Sequence, residues 1–126
     1  MKEIDIKTVS SAALAYLGDT VIEGCVREYL VREGFSSSAH LNEAALRFVR
    51  ASEQAKAMKN IIDSLCEDEL AVYRRGRNIG HTSTPKSASM SEYRTATGME
   101  ALFGWLRLVG REERIKELFS KAYGVE

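Results

Sequence analysis

The only proline in the 126-residue chain is Pro85, so nearly all of it lacks the one residue a helix interior cannot hold. On both sides of it apolar residues recur every three to four positions, and no strand-like alternation runs longer than a few residues. From Ser10 to about Arg32, Leu14, Leu17, Val21 and Cys25, with Ile22, Val26 and Tyr29 on the next ridge, predict one long helix. Ser10 or Ser11 caps it, and it is either continuous or broken near Gly18. Gly34 ends it, and the Ser36-Ser37-Ser38 run is a loop that offers the next cap. A second long helix is expected from about Ala39 to Leu65, with Leu41, Ala45, Phe48, Ala55, Met58 and Ile62 along its stripe.

Glu67-Asp68-Glu69 suits a helix N-terminus, predicting a short helix to about Arg77, although Cys66 is a poor residue at the cap. Gly76 to Ala88, with glycines, hydroxyls and the proline, reads as a long exposed loop, and loops this long inside small domains are usually functional. Ser89 with Glu92 forms a capping box opening a helix to Val109, with Gly110 as its stop. Glu112-Glu113 begins a last helix that buries Ile115, Leu118, Phe119 and Ala122 and ends at Gly124. The expectation is an all-α single domain, residues 1–126, of about five helices around one core.

No apolar run reaches the length of a membrane span, and the start, Met1-Lys2-Glu3-Ile4-Asp5, does not resemble a signal peptide. A cytoplasmic location and no membrane partner are therefore expected. Cys25 and Cys66 lack any neighbouring Cys or metal-spaced His, so both are expected to be reduced, core-packing thiols.

Eighteen basic residues balance eighteen acidic ones, so net charge says nothing of partners, but its distribution does. Between Tyr73 and Arg94 stand Arg74, Arg75, Arg77, Lys86 and Arg94 against Glu92 alone. Arginine forks match phosphate oxygens, and A-form RNA is met mainly through phosphates and 2′-hydroxyls, so this segment suits a duplex RNA. Arg74, Arg75, Arg77, Asn78, His81, Thr84, Lys86 and Arg94 form the candidate RNA surface; the alternative is a merely solvated loop.

Two apolar helical stretches are each interrupted by an acid. In Leu14-Ala15-Tyr16-Leu17-Gly18-Asp19-Thr20-Val21-Ile22-Glu23, Asp19 and Glu23 share one face. In Ala96-Thr97-Gly98-Met99-Glu100-Ala101-Leu102-Phe103-Gly104-Trp105-Leu106 the acid is Glu100, and Gly98 and Gly104 are costly in a helix unless another helix packs close upon them. If the two stretches cross there, Asp19 and Glu100 meet. A local reading also stands: Asp19 caps a break at Gly18, or the acids pair with an arginine or each other. Converging carboxylates repel unless a cation lies between them, and oxygen-only ligation by few groups favours Mg²⁺. Zinc has no Cys/His set here, and neither a covalent-nucleophile triad nor a nucleotide-binding glycine loop is present. The chemistry left is metal-assisted hydrolysis.

With these residues in view, Leu14 to Asp19 resembles the Leu-Glu-Phe-Leu-Gly-Asp signature of the ribonuclease III catalytic domain, and Thr97 to Leu102 resembles its second acidic motif. Ala-Tyr-Leu-Gly-Asp, Arg-Arg-Gly-Arg-Asn, Thr-Pro-Lys and Tyr-Arg-x-Ala-Thr-Gly-x-Glu-Ala-Leu are more similar to Mini-ribonuclease III, the bacterial branch without a double-stranded-RNA-binding domain, over nearly the whole chain. The resemblance implies a homodimeric helical bundle and Mg²⁺-dependent cleavage of double-stranded RNA. It further implies maturation of the large-subunit ribosomal RNA precursor, with a ribosomal protein on that precursor as a further partner. It makes Asp19 and Glu100 the catalytic, metal-binding carboxylates, with Glu23 a possible third ligand one turn from Asp19. Ala15 and Thr97 stand where full-length ribonuclease III has further acids, reducing its four carboxylates to two. Without a second RNA-binding domain, affinity has to come from the catalytic domain's own basic surface. The competing functions are an inactive RNA-binding module of the same fold and a helical protein-interaction domain.

Overall fold

The computed structural model describes residues 1–79 and 89–126. The described residues form six α-helices: α1 (Ser11–Arg32), α2 (Ser38–Val49), α3 (Ala51–Ile61), α4 (Glu67–Arg77), α5 (Met90–Leu108) and α6 (Glu112–Tyr123). Single 3-10 turns lie at Ile6–Thr8 and Ile62–Ser64, and there is no strand among these residues.

The fold is organised by α5. Every residue from Ala96 to Leu106 except Glu100 is buried, and a helix apolar on all sides belongs in the middle of a bundle. It packs along α1 over the longest contact, with α4, α3 and α6 around it. Leu14, Val21, Ile22, Val26 and Leu30 of α1 meet Met99, Leu102, Phe103 and Leu106 of α5 in one core with Met58, Ile61, Ile115 and Leu118.

The expected helix ends are largely where the capping chemistry puts them. Ser10 Oγ accepts from the Ala13 amide at 3.1 Å, and Ser89 and Glu92 exchange reciprocal bonds at 3.1 Å each. Gly34, Gly110 and Gly124 follow their helices at φ of 95°, 78° and 64°, a region other residues rarely enter. Helix α1 runs unbroken through Gly18.

Three expectations are corrected. The single helix from Ala39 to Leu65 is two, parted at Arg50, whose backbone is extended (φ −62°, ψ 144°). The bend lets α2 lie on α1 while α3 lies on α5 and α6, so tertiary packing overrides a continuous local pattern. Helix α4 ends at Arg77 as expected, so the loop cannot start at Gly76, which lies within the helix and is buried. Cys25 is half-buried against the core, but Cys66 is exposed at the start of α4, its thiol donating to Asp68 Oδ1 at 2.6 Å. Glu69 supplies the cap that Cys66 cannot, accepting from the Cys66 amide at 3.0 Å.

A buried ion pair anchors α4. Glu69 is 1% exposed, and Arg114 of α6 reaches its two oxygens from Nε and Nη2 at 2.8 Å each, while Nη2 also meets the Ser64 carbonyl at 2.8 Å. Beside it Arg111 bonds Asp68 at 2.9 Å and lies 4.8 Å over the Trp105 ring.

Candidate active site

Asp19 and Glu100 come together because α1 and α5 touch backbone to backbone. A Cβ added to Gly18 would sit 1.6 Å from the Glu100 carbonyl oxygen, and one on Gly104 would sit 2.0 Å from that of Leu14. Any side chain at either position would push the helices apart. Gly98 faces a different helix: a Cβ there would lie 2.8 Å from the Tyr73 ring of α4. Both glycines thus mark close helix contacts, each against its own neighbour.

Next to the Gly18 contact lies a pocket of about 300 Å³ lined by Asp19, Glu100, Thr97, Tyr93, Tyr16 and Ile79 with Ala12 and Ala15. Asp19 is exposed at its rim and Glu100 is half-buried within it. Burial first, then the charge of Asp19 and a hydrogen bond to it, push the Glu100 carboxyl up to about 8. At neutral pH the Glu100 carboxyl therefore keeps its proton in the metal-free protein. Neither acid forms an ion pair with an arginine or lysine among the described residues, and α1 has no break for Asp19 to cap. The local readings of Asp19 thereby reduce to its pairing with Glu100.

The donor set fits a magnesium ion. Two carboxylates offer oxygens only, and a small hard ion held by few protein groups keeps its remaining positions for water. Among the described residues no third His, Cys, Asp or Glu joins them in a metal-sized cluster. Glu23 stands one turn further along α1, bonded to Arg27 at 2.8 Å and outside the pocket lining. Thr97 lines the pocket, with its hydroxyl donating to the Tyr93 carbonyl at 2.9 Å.

Arg74, Arg75 and Arg77 cluster at the C-terminal end of α4, where the helix dipole favours cations, while Arg94 stands near the start of α5. Arg74, Arg75 and Arg94 are exposed and have no carboxylate partner among the described residues. Arg77 is half-buried, 5.7 Å over the Tyr73 ring, with Nε 3.4 Å from Asn78 Oδ1. Ile79, two positions on, is already part of the acidic pocket wall. His81, Thr84 and Lys86 lie outside the described residues. Sequence reasoning did not include Tyr93, Tyr16 and Ile79 in the site. Tyr93 was within reach, seven residues before Glu100 and four before Thr97, on one helical face.

This helical domain, with an acid-bearing α1 crossed on an acid-bearing α5, is of the ribonuclease III class: residues 12–111 match the family model described as Ribonuclease III domain. The chain is 40% identical over 121 residues to a Mini-ribonuclease 3 of Brevibacillus brevis, covering 96% of this chain and 90% of that protein. It is 43% identical over 115 residues to a Mini-ribonuclease 3 of Symbiobacterium thermophilum, covering 91% and 88%. A crystal structure of a protein from Fusobacterium nucleatum superposes with a TM-score of 0.83 at 34% identity, covering 92% of this chain and 93% of that one. The chain belongs to the ribonuclease III family, in its Mini-ribonuclease III branch, and is an endoribonuclease.

Proposed function

We propose that this protein is a Mg²⁺-dependent endoribonuclease that cuts double-stranded RNA as a homodimer in the cytoplasm, and that its RNA is the large-subunit ribosomal RNA precursor, cut with a ribosomal protein bound to it. The observation that carries the reading is the convergence of Asp19 and Glu100 in one pocket, with the arginine-rich end of α4 forming its neighbour. Family membership supports the substrate class. Asp19 and Glu100 would hold the ion, which when bound supplies charge neutralisation at the phosphoryl group and an activated water. Glu23, committed to Arg27, is left out of this ligand set.

The chain's own groups have separable parts in the reaction. Arg74, Arg75 and Arg94 bind backbone phosphates; Arg77, held over Tyr73, presents its guanidinium in a narrower range of directions. Thr97 and Tyr93 line the same pocket as Asp19 and Glu100. Homodimerisation is supported by the outer face of α1 beside the pocket, where Tyr16 is 85% exposed and Ala12 and Ala13 are exposed with it. A two-fold pair of such faces would present two acidic pockets to antiparallel strands.

The test is cleavage of a long duplex RNA with and without Mg²⁺ by the parent, Asp19→Asn and Glu100→Gln. Loss of cutting in both variants, with duplex binding retained, is expected. Unimpaired cutting by both would remove the assignment. Sedimentation of the free protein at twice the chain mass would agree with the dimer, and a monomer at assay concentration would refute it.

A further inference from the structure

Gly76 sits between Arg75 and Arg77, in the last turn of α4, yet it is buried. Its backbone is not in the left-handed region, so no special conformation requires glycine there. Space does: a Cβ at position 76 would fall 2.6 Å from the Ala101 Cβ, 3.0 Å from the Gly98 Cα and 3.4 Å from the Thr97 carbonyl oxygen. The contact is reciprocal, since a Cβ on Gly98 would lie 2.9 Å from the Tyr73 carbonyl oxygen. Neither Ala101 nor backbone atoms have a flexible end that could swing aside. Thr97, Gly98 and Ala101 flank Glu100 in the chain, and Arg75 and Arg77 flank Gly76. The seat of Gly76 on α5 therefore fixes where the arginine-bearing end of α4 stands relative to the acidic pocket.

We propose that Gly76 is a positioning residue for cleavage: its contact with Gly98 and Ala101 sets the register between the phosphate-binding arginines and the Asp19–Glu100 pair. This rests on the endoribonuclease reading above. A methyl at 76 needs roughly 1 Å more room to reach ordinary carbon contact, and a misplacement of about 1 Å can lower turnover by about 100-fold while leaving the groups themselves in place.

The experiment compares the parent, Gly76→Ala, and the double variant Gly76→Ala with Ala101→Gly, which moves the methyl from α5 to α4 and removes the 2.6 Å clash. Each is assayed on one defined RNA duplex for kcat and KM, for duplex affinity without Mg²⁺, and for folding by circular dichroism at the assay temperature. Gly76→Ala is expected to stay folded and bind duplex within about threefold of the parent, with kcat reduced about 10- to 100-fold. The double variant keeps only the milder 3.0 Å approach to the Gly98 Cα and is expected to recover kcat to within about fivefold of the parent. A folded Gly76→Ala with parental kcat, or an effect confined to KM, would overturn the proposal. So would a folded double variant that remains tenfold slow, which also decides the matter where the single variant is unfolded. A parent that does not cut the duplex defeats the endoribonuclease reading itself and this proposal with it; a parent that cuts leaves that reading standing whatever Gly76→Ala does.

Discussion

Two glycines six residues apart on α1 should respond to the same substitution with opposite signs. Replacing Gly24 by alanine adds a methyl where nothing lies within 4 Å, so only backbone propensity counts. The expected gain is about 0.5–1 kcal/mol. Replacing Gly18 gains the same propensity, but its methyl would stand 1.6 Å from the Glu100 oxygen, 2.5 Å from the Glu100 carbonyl carbon and 2.8 Å from the Gly104 nitrogen. All three are backbone atoms. Ordinary C···O contact is about 3.3 Å, so α1 and α5 have to part by roughly 1.5–2 Å. Overpacking alone costs about 1–3 kcal/mol, and a gap of even about 1 Å forfeits up to half the dispersion attraction across the interface. That interface is the largest in the fold, so the clash outweighs the propensity gain, for a net loss of about 3 kcal/mol or more.

At roughly 3–5 °C per kcal/mol for a domain of this size, Gly18→Ala should melt about 10 °C or more below the parent, and Gly24→Ala a few degrees above it. Thermal unfolding followed by circular dichroism at 222 nm reads both. A Gly18→Ala protein melting at or above the parent would show that the helices are not in backbone contact, and the convergence of Asp19 and Glu100 would lose its cause.

Glu100 gives a pH dependence of stability. Burial first, then Asp19, raises its carboxyl to about 8 from an ordinary 4.5, so the folded state keeps a proton that the unfolded chain has released. In metal-free buffer the melting temperature should fall as pH rises from about 4.5 to about 8 and then level. Glu100→Gln should flatten that slope, and parallel slopes for the two proteins would refute the burial argument. Arg114→Ala strips a carboxylate only 1% exposed of both its 2.8 Å partners. Its cost should be about 3–5 kcal/mol in urea denaturation, and a loss below about 1 kcal/mol would show Glu69 to be solvated. Arg74→Ala and Arg94→Ala should each weaken duplex binding and lower the slope of log affinity against log salt by about 1; unchanged slopes would exclude direct phosphate contact.

What could be read from the chain alone was whatever depends on near neighbours. The reciprocal Ser89–Glu92 box and the glycine stops at 34, 110 and 124 are decided within a few residues, and all appear where expected. The break at Arg50 was not legible, because neither proline nor glycine marks it and its cause is the different packing of α2 and α3. The Glu69–Arg114 pair was hidden as well: each is a common surface residue, and the two are 45 positions apart. In the site, Asp19 and Glu100 stood out because charge is unexpected in an apolar stripe. Glu23 offered the same local spacing to Asp19, but an equally local partner, Arg27, takes it up. Gly76, set between two arginines with Asn78 close behind, looks like a loop residue, and only the presence of α5 beneath it reveals why it has no side chain.

Stability and the proposed activity pull in opposite directions at one residue of α5. Helix α5 lies at the centre because its other positions from Ala96 to Leu106 are buried, and burying Glu100 among them is what makes its negative charge unfavourable. An uncharged residue of similar shape would suit the metal-free fold better. The same desolvation strengthens whatever opposite charge enters the pocket, since a cation beside two carboxylates in partly excluded water is attracted more strongly than it would be at an open surface. The glycines at 18 and 104 extend the argument to the backbone: each lowers helix propensity, and together they allow the approach that brings Asp19 to Glu100. Local weakness in two helices and a costly half-buried acid are therefore one arrangement, and a cation between the two carboxyl groups, as proposed, would offset its cost.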